Sequence, residues 1–287
     1  MDGIIVINKP KGITSFDVVR SLRKILKIKK IGHTGTLDPM ATGLMLICVG
    51  KATKLASDLE AEEKVYEAGI EFGYATDTYD VEGQVTERKE KKVFREEVEK
   101  VIPKFLGEIK QVPPMYSALK VNGQKLYDLA RQGITVERKA RDINIEYIKF
   151  LDYEDNKGKF LTKVSKGTYI RSLIYDLGKE LDTYATMTSL MRCEVGAYNL
   201  DMAYTLEEIE NLTQENNFSF LKSVEDMFDF EKFSLTEVKQ ETLFKNGNTV
   251  KLLDKKISNG KYRIYFQNKF LGLAEAKNNL IKGYKYF

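Results

Sequence analysis

Gly32-His33-Thr34-Gly35-Thr36-Leu37-Asp38-Pro39-Met40-Ala41-Thr42-Gly43 is the stretch around which the chain reads most clearly. Three glycines and one proline in these twelve residues argue against a regular helix or strand through it. Glycine admits positive φ and close backbone approach, whereas proline fixes φ and removes a donor. The stretch holds the single histidine of the chain and one acid, Asp38. An apolar run of strand length, Leu44 to Val49, follows at once. A constrained loop that presents one acid beside a buried strand suits chemistry. The residue types alone leave open a glycine-rich surface turn with a solvated aspartate.

The chain has 287 residues, enough for one large domain or a large and a small one. Hydrophobic residues at 43% and charged residues at 31% support a sizeable core and exclude global disorder. Lys and Arg number 46 against 42 acids, a mild excess that permits a nucleic-acid partner without demanding one. Cys48 and Cys193 lie far apart in apolar or strand-like surroundings, as reduced buried thiols do. One histidine and two distant cysteines make a structural zinc site improbable, so no metal is expected. The N-terminal apolar run, Ile4 to Ile7, is too short for a signal sequence, and no run approaches a membrane span. The expected location is the cytoplasm.

Ile4 to Ile7 reads as a buried strand. Thr14 and Asp17 form a capping box, and Val18, Leu22, Ile25 and Leu26 follow at helical spacing. Arg20, Arg23, Lys24, Lys27, Lys29 and Lys30 give this helix and its exit a one-sided positive face, suited to a polyanion or simply to solvent. Gly50-Lys51-Ala52-Thr53 is not a P-loop. Lys64 to Phe72 alternates with Tyr66, Ala68, Ile70 and Phe72 on one face, a half-buried strand. Thr76 to Gly83 reads, on its residues alone, as a solvated acidic turn. Val98, Val101, Ile102 and Phe105 predict a helix that Pro103 bends or shortens. From Gln111 to Gly133, tyrosines stand among lysines and arginines, a composition that suits stacking and phosphate contacts on RNA.

Ile143 to Phe150 and Phe160 to Val164 read as a hairpin turning at Asp155 to Gly158. Ser165 to Arg171 leads into a helix carrying Leu173, Ile174, Leu177 and Leu181. Leu190 to Tyr198 looks strand-like, and Thr205 opens a second capped helix. Glu210 to about Phe230 turns polar and irregular, which places a domain boundary there. From Phe233 the pattern predicts a short helix and then small strands. Such a short tail lies near the lower limit for an independent core and should pack on the larger part.

Six blocks in order resemble the motifs of the TruB family of tRNA pseudouridine synthases: Gly32 to Leu44, Lys64-Val65-Tyr66, Thr76 to Asp80, Pro113 to Lys120, Lys166 to Arg171, and Leu190-Met191-Arg192. The last departs from the family's Leu-Arg-Arg at Met191. The resemblance implies a mixed α/β (α+β) pseudouridine synthase fold with a long, mostly antiparallel sheet. It implies a catalytic domain over residues 1–230, with an RNA-gripping insertion at about 111–140, and a small β-rich PUA-like RNA-binding domain over 231–287. It implies isomerisation of uridine 55 in the tRNA T-loop to pseudouridine.

By the same resemblance Asp38 is the catalytic aspartate and Arg171 the arginine paired with it, with Asp80 a second carboxylate on that arginine. Tyr66 stacks on the target uracil and helps move a proton, and Tyr169 and Leu190 are pocket contacts. His33 reshapes the T-loop, and Lys9 and Lys54 are expected to meet phosphates. No cofactor is implied, because the reaction has no redox step. The partner is the T-arm stem-loop of tRNA, with no membrane or obligate protein partner, and the expected state is a monomer. The alternative is an RNA-binding, tRNA-folding chaperone that acts without chemistry.

Overall fold

Strands whose two faces are both covered lose the alternation of apolar and polar residues. The first two long apolar runs show this. In the computed structural model, which describes residues 1–252 and 256–287, β1 (Gly3–Lys9) pairs antiparallel with β3 (Thr42–Val49), from Gly3–Val49 to Lys9–Gly43. Ile5, Ile7, Met45 and Ile47 enter the main core on one face. Ile4, Val6, Leu44 and Leu46 enter a second core on the other.

The short strand β2 (Ile31–His33) pairs with the far half of β3. The sheet continues with β4 (Lys64–Phe72), β5 (Gly107–Gln111), β6 (Arg141–Glu154), β7 (Lys157–Val164), β8 (Ala185–Val195) and β9 (Leu221–Lys222). Its order is β9-β1-β3-β8-β4-β7-β6-β5, with β2 and the two-residue strand Tyr198–Asn199 off this path. Among the neighbours on this path only β3 and β8 run parallel, at Thr42–Met191 and Gly43–Arg192. There a Cβ on Gly43, at φ +102°, would lie 2.3 Å from the Arg192 carbonyl oxygen, so only glycine lets the strands meet. The mixed α/β class and the large, mostly antiparallel sheet are as expected.

Helix α1 (Ser15–Leu26) carries the capping box of Thr14 and Asp17 and buries Val18, Val19 and Leu22. Short α2 (Ala56–Ala61) precedes β4, and α3 (Arg95–Val101) gives way at Pro103 to a tighter turn. Then come α4 (Leu126–Arg131), α5 (Ile170–Glu180) with its buried Leu173, Ile174 and Leu177, and α6 (Leu206–Gln214), capped by Thr205.

Three expectations need correction. Strand β8 begins at Ala185, five residues before Leu190, because Ala185 already pairs with Phe72. The stretch after Glu210 is less irregular than its polarity suggests: α6 runs to Gln214, Phe220 is buried, and β9 pairs with β1. Beyond it a strand, β10 (Glu231–Leu235), precedes the helix α7 (Val238–Lys245). Tertiary pairing decides this, since Phe233 lies beside Ile264 in a parallel ladder. With β11 (Val250–Lys251), β12 (Gly260–Phe266), β13 (Lys269–Lys277) and β14 (Leu280–Tyr286), β10 forms a five-stranded sheet. Leu235, Phe244, Ile264 and Ile281 form a core of its own. This sheet meets the larger one where Phe270 and Phe287 stack and pack against the second core. Lys54 Nζ donates to the Tyr286 carbonyl at 2.7 Å, and Lys285 pairs with Asp58.

Candidate active site

The loop between β2 and β3 is held at nearly every residue. Leu37, Met40 and Ala41 are buried and anchor it. The Ser15 hydroxyl accepts from the Leu37 amide at 2.8 Å and donates to its carbonyl at 3.0 Å. The Gly12 amide donates to Pro39 O, and the Ala41 amide to Asp38 O. Between these anchors Asp38 is presented to the cleft, its side chain 35% exposed.

Lys9 belongs to that scaffold. It was expected at a phosphate, yet it has no exposed surface. Its ammonium donates to Pro10 O, Ile13 O and Pro39 O at 2.9, 2.7 and 3.3 Å. All three of its donors are used inside the protein, so none remains for RNA. Burial holds its amine below the usual lysine range.

Across the cleft, Arg171 opens the first turn of α5 and is 5% exposed. Its Nη2 lies 3.0 Å from Asp38 Oδ2, and its Nη1 lies 3.5 Å from Asp80 Oδ2. The same fork donates to Thr78 O at 3.0 Å and Tyr116 O at 2.8 Å. One guanidinium thus joins two carboxylates and two loops. Asp80 is buried, not part of a solvated turn as its local sequence suggests. Burial raises its carboxyl above the ordinary aspartate range, against the opposing pull of Thr78 Oγ1 at 2.7 Å and of Arg171.

The cleft has a volume of about 1030 Å³, and Asp38, Tyr66, Asp80, Tyr169, Arg171 and Leu190 all line it. Tyr66 comes from β4, Leu190 from β8, and Tyr169 from the residue that caps α5. Burial raises the Tyr169 phenol above its ordinary value. The segment at 111–140 contributes Tyr116, Ser117, Tyr127 and Arg131 to the wall, and the Tyr116 hydroxyl donates to Asp77 at 3.1 Å.

Two further expected residues, like Lys9, stand off the cleft. His33 ends β2, one residue before the wall begins at Thr34, and its Nδ1 accepts from the Gly35 amide. Burial and the nearby Arg192 hold its imidazole below the usual range, hence neutral at pH 7. Lys54 is exposed at the seam with the C-terminal sheet. The basic face of α1 is exposed, and Arg20 and Arg23 flank the exposed ring of Phe16, each 5.9 Å from its centre. Among the described residues no cluster of three or more His, Cys, Asp or Glu side chains is placed to hold a metal, and no helix is long and apolar enough to cross a membrane.

Sequence reasoning missed three wall or scaffold residues. Ser15 is one, and its only signal was a position beside a cap. Lys64 and Arg192 are the others, both buried on the cleft wall. They stood inside quoted motifs, but nothing local distinguished them from surface cations.

The family model described as TruB family pseudouridylate synthase (N terminal domain) matches residues 23–170, and that for the tRNA pseudouridylate synthase B C-terminal domain matches 171–229. The chain is 62% identical over 288 residues to a tRNA pseudouridine synthase B of Fusobacterium nucleatum, covering 100% of both. It is 46% identical over 280 residues to one of Clostridium tetani, covering 96% of each. Among solved structures it superposes with TM-score 0.70 on a chain of an H/ACA RNP bound to a substrate RNA containing 2′-deoxyuridine, at 22% identity, covering 99% of this chain and 84% of that one. A Cbf5-Nop10-Gar1 complex gives TM-score 0.71 at 23% identity, with the same coverage. At that identity the structural similarity speaks for the pseudouridine synthase fold alone. Sequence match and site geometry agree, and the chain belongs to the TruB family of pseudouridylate synthases.

Proposed function

We propose that this protein isomerises uridine to pseudouridine in tRNA, and that its target is uridine 55 of the T-loop. The observation that carries the reading is the Asp38–Arg171 pair at 3.0 Å, on a rigid loop at the mouth of a cleft large enough for a flipped nucleotide. The reaction breaks the C1′–N1 bond and rejoins the same uracil through C5. N1 gains a proton and C5 loses one, so atoms balance without a second substrate, cofactor or metal.

In this reading Asp38 is the acid that acts on the nucleotide. Arg171 pairs with it and orients it, with Asp80 fixing the far side of the guanidinium. Tyr66 stacks on the uracil, and Tyr169 and Leu190 close the pocket around it. Flipping the base costs roughly a few kcal/mol of stacking, offset by phosphate and stacking contacts from α1 and the 111–140 segment. His33 reads loop shape as a neutral group. Residues 1–230 would form the catalytic domain and 231–287 a PUA-like RNA-binding domain. The chain would act as a cytoplasmic monomer. A chaperone without chemistry would have no use for a buried Asp80 beside a second carboxylate.

The test is incubation of the protein with an unmodified T-arm stem-loop, followed by mapping of pseudouridine. Wild type should convert one loop uridine. Asp38→Asn, nearly isosteric but uncharged, should bind the loop and convert none. Conversion by Asp38→Asn near the wild-type yield would sink the assignment of Asp38.

A further inference from the structure

The cleft wall is uneven in charge balance. At one place a single buried arginine, Arg171, faces two carboxylates. Elsewhere on the wall stand two buried cations, Arg192 and Lys64, with Glu60 on the same wall but not in ion-pair contact with either. Arg192 is 3% exposed and donates from Nε to Leu44 O and from Nη2 to Gly35 O. Lys64 is 7% exposed and donates to the carbonyls of Glu60 and Glu62, where α2 ends. Among the described residues no carboxylate lies within ion-pair distance of either.

Buried charges are ordinarily paired, because a carbonyl satisfies a donor without neutralising a charge. Glu60 and Glu62 attract Lys64 from farther away. Burial and repulsion from Arg192 and Lys166 outweigh them and push the amine down to about 8. The Arg192 bonds strap the Asp38 loop to β3, which gives that residue a structural task. They do not explain a second buried cation beside it, on the wall of an open cleft. A missing anion does.

We propose that the Arg192–Lys64 part of the cleft wall is a subsite for one RNA phosphodiester, that of the nucleotide whose base reaches Asp38 or of its immediate neighbour. This rests on the reading of the chain as an RNA pseudouridine synthase. The register supports the placement. Arg192 on β8 lies directly opposite Tyr66 on β4. Lys64 stands two residues before Tyr66 on the same strand, hence on the same face, about 6–7 Å away. That spacing is comparable with the separation between a nucleotide's C1′ and its flanking phosphates. With the uracil on Tyr66 and its ribose at Asp38, a flanking phosphate comes within reach of the two cations. A phosphodiester also stays ionised at every working pH, as a partner for two cations must.

The test is a double-mutant cycle between protein and RNA. T-arm stem-loops are made with each loop phosphate in turn replaced by an uncharged methylphosphonate, and their affinity for wild type and Lys64→Met is measured. In wild type, one substitution next to the target uridine should weaken binding about tenfold, the loss of one charge-assisted contact. In Lys64→Met the same substitution should cost clearly less, about threefold or below, because one of its two cationic partners has gone and only Arg192 remains. Lys64→Arg should restore the sensitivity, and it serves as the second arm if Lys64→Met does not fold. Equal losses in wild type and Lys64→Met at every loop phosphate would overturn the subsite. Wild-type turnover on the unsubstituted loop is read separately: its absence would remove the functional reading, whereas equal losses would remove only the phosphate site.

Discussion

Replacing Arg171 by methionine should cost stability chiefly through what it leaves behind. Asp80 is 4% exposed and lies 3.5 Å from the guanidinium. At an effective dielectric near 20, two unit charges at that distance attract by about 5 kcal/mol. Asp38 is closer, but its side chain is a third exposed, so solvent screens that pair and it counts for less. Removing the arginine also relieves the cost of burying it. Loss of one member of a buried ion cluster then comes to about 3–5 kcal/mol. If an uncompensated Asp80 is the reason, Arg171→Met/Asp80→Asn should regain about half of it, since an amide needs no counter-charge. The pH dependence gives a second check. Burial already raises the Asp80 carboxyl above the ordinary aspartate range in the folded protein, so its contribution is favourable at low pH and is lost as pH rises through the folded value. Without Arg171 the folded value climbs further and the window widens upward. Arg171→Met should therefore recover stability relative to wild type between about pH 7.5 and about pH 5. Urea unfolding of the three proteins at both pH values measures all of this. A single mutant within about 1 kcal/mol of wild type at both pH values, or a double mutant no more stable than the single, would refute the reasoning.

Lys9→Met should lower the unfolding free energy by about 1–3 kcal/mol, since buried carbonyls of Ile13 and Pro39 lose a charged donor; the salt slope of RNA binding should not change, and a flatter slope would return Lys9 to the interface. Neutralising Lys24 and Lys27 together should flatten the slope of log K against log salt by about one to two units, because both are exposed on the basic face of α1. An unchanged slope would take that helix out of the RNA contact. His33→Ala should weaken productive binding and leave measurable turnover, as its neutral imidazole stands off the cleft. Full binding with no turnover would make it catalytic instead.

What the sequence determined by itself was set by neighbours a few residues apart. The apolar runs Ile4–Ile7 and Leu44–Val49 dictate strands because such segments must be buried on both faces. Thr14 and Thr205 dictate helix starts because each caps an amide three residues on. The hairpin at Asp155–Asn156 follows from two residues that tolerate positive φ. The ordered motifs marked the family and pointed to Asp38, Arg171 and Tyr66. What only the tertiary structure decided was which charges are buried and what they face. Asp80 reads from its local residues as a solvated turn acid; the family resemblance pointed to Arg171, ninety-one positions later, but only the structure shows the carboxylate buried there. Lys9 reads as a phosphate contact until Pro39 O is found against its ammonium. Arg192 is only one residue of a motif block until its side chain reaches Leu44 O, 148 residues back. Glu231–Leu235 becomes a strand because Gly260–Phe266 offers it a ladder. Burial and counter-charge depend on contacts distant in the chain. No local pattern of residue types encodes them.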